Sequence, residues 1–62
     1  MKVWVIRVTS NQDMLAKLLV EEFEPFAATA GAQFYLRKQV EYDDTELARI
    51  RKNPRELVKF LT

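Results

Sequence analysis

Neither cysteine nor histidine occurs anywhere in the 62 residues. The first absence removes disulfides and thiolate metal sites; the second removes imidazole ligands and the side chain best suited to acid–base work near neutral pH. The single glycine, Gly31, leaves no glycine-rich loop to cradle a phosphate. No apolar run approaches the roughly 20 residues of a membrane-spanning helix, because Lys17, Glu21, Glu22 and Glu24 interrupt the longest stretches. Net charge is small as well: ten basic against nine acidic residues point to no partner. The opening Met1-Lys2-Val3-Trp4-Val5-Ile6-Arg7 meets a charge too early for a signal peptide, and no small-residue cleavage site follows. A cytoplasmic protein is the expectation, and no membrane partner is expected.

What is present is a modest stock of core material. A chain this short buries only about 60% of its unfolded surface, so small domains lean on staples or on a second subunit. With disulfides excluded, packing and self-association remain. Trp4, Phe23, Phe26, Phe34, Tyr35, Tyr42 and Phe60 supply large rings for a core. The chain is read as one domain over residues 1–62.

Residues 2–9 are rich in β-branched side chains and read as a strand. Alternation sets Trp4, Ile6 and Val8 on one face and Val3, Val5 and Arg7 on the other, so both faces are apolar enough to be covered. Ser10 is the expected cap of a helix, with Asp13 in its first turn. Met14, Leu15, Leu18, Leu19 and Phe23 then recur at helical spacing, and Pro25 forces a stop near Glu22 or Phe23.

Residues 24–31 fit either a short alanine-rich helix or an edge strand. The strand is preferred, since a sheet needs three strands to stand. Residues 33–42 alternate clearly as a strand. Phe34, Leu36, Val40 and Tyr42 face one way, and Tyr35, Arg37, Gln39 and Glu41 the other. Asp43, Asp44, Thr45 and Glu46 open a second helix, and Asn53-Pro54 restarts a third with Leu57, Val58, Phe60 and Leu61 on its apolar side. The expected fold is α+β: a β-α-β-β arrangement with a three-stranded antiparallel sheet, one helix on a face, and one or two short C-terminal helices. The third strand is expected at the centre.

The stretch Glu22-Phe23-Glu24-Pro25-Phe26-Ala27, followed by Phe34-Tyr35-Leu36-Arg37-Lys38, resembles the helix-to-hairpin passage of a family of small bacterial and phage domains of unknown function. Members typically carry a Gly-Trp-Glu-like turn there; here the glycine is absent and Phe23 stands in the tryptophan's place. The resemblance covers the first forty residues and implies a strand–helix–hairpin layout and a bacterial or phage source. It implies no activity.

No catalytic residue, cofactor site or metal site emerges, and no small-molecule substrate is evident. Ser10 lacks the flanking glycines of a nucleophile elbow and is better used as a cap. Asp43, Asp44 and Glu46 lack the spacing and the glycine of a calcium loop. Two surfaces are left. The sheet face opposite the first helix is expected to carry Val3, Val5, Tyr35 and Arg37, an apolar patch suited to a protein partner or a second copy of the chain. The C-terminal segment carries Arg49, Arg51, Lys52, Arg55 and Lys59 against Glu56 alone, a footprint able to meet phosphates, with Tyr35 and Arg37 offering stacking. The expected function is a non-enzymatic regulator, adaptor or inhibitor of a protein partner, with a homodimer in view. The alternative is a nucleic-acid-binding protein using the basic segment.

Overall fold

A computed structural model describes residues 1–61. The chain runs β1 (Lys2–Thr9), α1 (Gln12–Val20), β2 (Glu24–Ala28), β3 (Phe34–Glu41), α2 (Asp44–Lys52), a 3-10 turn (Pro54–Leu57) and β4 (Val58–Leu61). The fold is α+β. The four strands form one mixed sheet in the order β2-β3-β1-β4. β3 is antiparallel to both β1 and β2, which makes β1, α1 and β2 a split βαβ unit with β3 between its strands. β4 runs parallel to β1 along Ile6 to Thr9.

Two expectations are corrected here. The sheet has four strands, and the residues read as a third helix form one 3-10 turn and a strand. Asn53-Pro54 does start a helical turn, but Val58-Lys59-Phe60-Leu61 then pairs with the open edge of β1. Four ladder positions outweigh a short helix whose apolar residues fit both periods.

The cap of α1 is also shifted by one residue. Asn11, not Ser10, is the N-cap; its Oδ1 accepts from the N–H groups of Asp13 and Met14 at 2.8 and 3.2 Å. Thr9, buried at the end of β1, accepts the Asn11 N–H on its hydroxyl at 3.0 Å, which fixes the entry into the helix. The helix ends at Val20, earlier than expected, in a Schellman motif. Phe23 N–H bonds to Leu18 C=O and Glu22 N–H to Leu19 C=O, with Glu22 in the left-handed region at φ 71°. The same motif brings Phe23 and Leu18 into the core together with Val5 and Leu36.

That core lies between α1 and one face of the sheet. Val5 (2% exposed) and Leu36 (0%) lie under α1, because Val5 pairs with Lys38 and Arg7 with Leu36 on one side of the β1–β3 ladder. Met14, Leu15, Phe34 and Val40 pack around them. α2, capped by Asp43 through the Glu46 N–H at 2.8 Å, buries Leu47 and Ile50. No helix among the described residues is long and apolar enough to cross a membrane.

Candidate partner-binding face

The sheet face away from α1 carries the even residues of β1 and the odd residues of β3, by the register Trp4↔Gln39, Ile6↔Arg37 and Val8↔Tyr35. This face is covered at Val8, which is 2% exposed, and open elsewhere: four large apolar side chains lie exposed on it, Trp4 on β1, Phe26 on β2, and Val58 and Phe60 on β4. Val58 and Phe60 belong to this face because they pair with Ile6 and Val8.

Phe26 falls on this face by alternation from Glu24, which pairs with Arg37. Pro25 pairs with Leu36 and Ala27 with Tyr35, so Phe26 is also the extra residue of a bulge in β2, and its ring meets Tyr35 edge-on at 6.3 Å between centroids. Arg37 occupies the centre. Its guanidinium carbon lies 4.6 Å from the Trp4 ring centroid and 5.2 Å from that of Phe26, and its Nε donates to Glu24 Oε1 at 2.6 Å. A cation held over two rings and neutralised by a carboxylate is a rigid, half-exposed assembly of the residue types that dominate protein interfaces. Beside it, Trp4, Glu22, Glu24, Arg37, Lys38 and Gln39 line an open groove of ≈ 270 Å³.

The four residues expected on this surface therefore divide. Tyr35 and Arg37 lie on it. Val3 and Val5 do not: they face α1, where Val5 is buried and Val3 half-buried. Both faces of β1 are apolar, so alternation alone does not say which one the helix covers. Trp4 and Phe26 are the residues that sequence reasoning misses. Both count as core rings by composition, and alternation alone does not say that their face is the open one.

The five basic residues are all exposed. Arg49 is taken up by Glu56, at 2.5 Å between Nη1 and Oε2. Arg51, Lys52, Arg55 and Lys59 form no ion pair among the described residues. They are spread over α2, the 3-10 turn and β4 rather than along one helix, and Lys59 sits opposite Arg7 on the α1 side of the sheet. Two further cations, Arg7 and Lys38, flank the Phe23 ring at 5.8 and 5.5 Å, where Lys38 donates to the Glu21 carbonyl at 2.8 Å. Ser10 is exposed, and the Asp43 carboxylate is engaged as the α2 cap.

No protein-family model matches the chain, and neither does any curated protein or solved structure. The functional reading rests on the surface itself.

Proposed function

We propose that this chain is a non-enzymatic binding protein, a small regulator, adaptor or inhibitor that docks a protein partner on the sheet face of Trp4, Phe26, Tyr35 and Arg37. The observation that carries the reading is the Arg37 guanidinium held between Trp4 and Phe26 and bound to Glu24. Rings fixed in this way lose little side-chain entropy on docking, which is what makes aromatic and arginine residues effective anchors. The neutralised charge favours an uncharged protein surface over phosphate. The partner is a second copy of the chain where self-association is the outcome, and sedimentation across a concentration range separates that case from a different protein.

The test is photo-crosslinking from p-benzoylphenylalanine placed at Phe26 in the native host. Adducts to one protein species, lost in the Arg37→Ala background, are expected. Adducts to nucleic acid alone, or adducts unaffected by Arg37→Ala, overturn the reading.

A second reading has its own observation: Arg51, Lys52, Arg55 and Lys59 are exposed and form no ion pair among the described residues. A sequence-tolerant nucleic-acid binder would use them on phosphates. Binding of an oligonucleotide that persists at physiological salt and weakens on Tyr35→Ala favours this reading over the first. Binding that vanishes as salt rises is nonspecific electrostatics.

A further inference from the structure

The sheet is stepped on the β3 side. β2 pairs with β3 only from Arg37 to Phe34, while β3 continues to Glu41. The direction of the backbone groups beyond the step follows from both ends of β3. Tyr42 exchanges bonds with Met1, its N–H to Met1 C=O and its C=O with the Met1 ammonium, so the even residues point their polar groups at β1. Thr29 N–H bonds to Gln33 C=O, so the odd residues point toward β2. Gln39 and Glu41, both exposed, therefore present their N–H and C=O groups outward, where β2 is missing. The preceding residue that would extend β2 to Gln39 is Glu22, whose N–H is committed to Leu19 in the helix terminus.

We infer that this step receives an extended segment of a partner protein, added antiparallel to β3 and in line with β2. The inference rests on the protein-binding reading above and specifies how the partner engages. Only an extended strand matches donors and acceptors repeating every second residue along an edge. The partner's side chains would alternate between two environments. One lies beside Val40 on the α1 side, half-buried and apolar. The other lies beside Gln39, in the groove formed with Trp4, Glu22, Glu24 and Arg37. An apolar residue in the first position and a larger polar or aromatic one in the second is the class of segment that fits.

The competing edges are poorer. Glu24 faces Arg37 across the ladder, so Pro25 turns outward, and the outer edge of β2 lacks a donor there. On β4 the Val58 N–H is spent on the Arg55 carbonyl, which removes a donor from its four residues. The outward groups of Lys2 and Trp4 on β1 open on the opposite side of the sheet from the groove lined by Glu22 and Glu24.

The chain is short enough for total chemical synthesis, which allows a backbone test. Peptides are selected from a displayed random dodecapeptide library against the full chain, and the best is resynthesised. Its affinity is measured for the native chain, for the chain N-methylated at Gln39, and for the chain N-methylated at Lys2. The Gln39 N–H has no partner in the sheet, so its methylation leaves the fold intact by circular dichroism. At least tenfold weaker binding to the Gln39 form, with the Lys2 form unchanged, is the expected result. Equal binding to all three, loss only with the Lys2 form, or no enriched peptide overturns strand addition at this edge. Peptide binding that depends on Phe26 but not on Gln39 methylation overturns it while leaving the aromatic face as the docking site. Self-association abolished by Gln39 methylation, with no peptide bound, overturns it in favour of a second copy.

Discussion

Val5→Thr separates the two possible assignments of the sheet faces in one substitution. Threonine matches valine in size and suits a strand, so the change neither empties the site nor breaks the ladder. What it does is place a hydroxyl where Val5 now sits, 2% exposed among Leu18, Phe23 and Leu36, which offer no acceptor. Burying a hydroxyl without a partner costs about 1–3 kcal/mol by the measure of protein substitutions. A domain of this length has on the order of 3–9 kcal/mol of stability, and each kcal/mol moves Tm by roughly 4–8 °C. The expected loss is therefore at least about 4 °C and as much as about 24 °C. Val58→Thr is the matched control, since Val58 is 42% exposed on the opposite face; its cost stays within about 0.5 kcal/mol. Thermal unfolding followed by far-ultraviolet circular dichroism reads both. If Val5→Thr melts together with Val58→Thr, Val5 lies on an open face and the placement of α1 is wrong.

Three other outcomes follow from particular contacts. Asn11→Ala removes the α1 cap and lowers stability by about 1 kcal/mol, whereas Ser10→Ala stays within about 0.5 kcal/mol, both read by urea denaturation; equal effects would return the cap to Ser10. Glu22 and Ala32 sit at φ 71° and 61°, so Glu22→Gly and Ala32→Gly each raise the unfolding free energy from urea denaturation, by up to about 1 kcal/mol, and a fall at both sites would show that neither conformation is strained. The Met1 ammonium, hydrogen-bonded to Glu41 at 2.6 Å, holds that carboxyl below its usual range. Its contribution to stability is complete above the ordinary glutamate range and disappears as pH falls through the lowered value; an NMR titration of the Glu41 carboxyl that is unchanged by acetylating the amine would refute the pairing.

The parts of the fold that were legible are those where one pattern excluded the others. β1 and β3 alternate over eight residues each, and Asp43 followed by Asp44 and Glu46 opens α2 where a cap and two first-turn carboxylates coincide. β4 was hidden because Leu57, Val58, Phe60 and Leu61 satisfy helical spacing, while Val58 and Phe60 also satisfy alternation. What decides between them is the unpaired edge of β1, a tertiary fact with no local signature. Ser10 and Asn11 are both good caps one residue apart, and the choice falls to the Thr9 hydroxyl that anchors the Asn11 N–H. The site was half legible for a similar reason. Tyr35 and Arg37 follow from β3 alone, but their neighbours depend on which side α1 takes and on the register of β2 against β3.

One local irregularity with no mark in the residue pattern creates the open edge of the candidate site. The left-handed turn at Glu22 ends α1 early, commits the Glu22 N–H to the helix, and starts β2 at Glu24, so Gln39 and Glu41 keep an open edge. Two residues after Glu24, alternation returns Phe26 to the side of Arg37 and Tyr35, which builds the aromatic face next to that edge. A β2 beginning two residues earlier would have paired Gln39 and closed the edge while leaving Phe26 on the same face. Edge and face are thus joined through five residues of one connection, which makes segment 22–26 the place where substitutions should alter binding without touching the Val5–Leu18–Phe23–Leu36 core, Phe23 itself excepted.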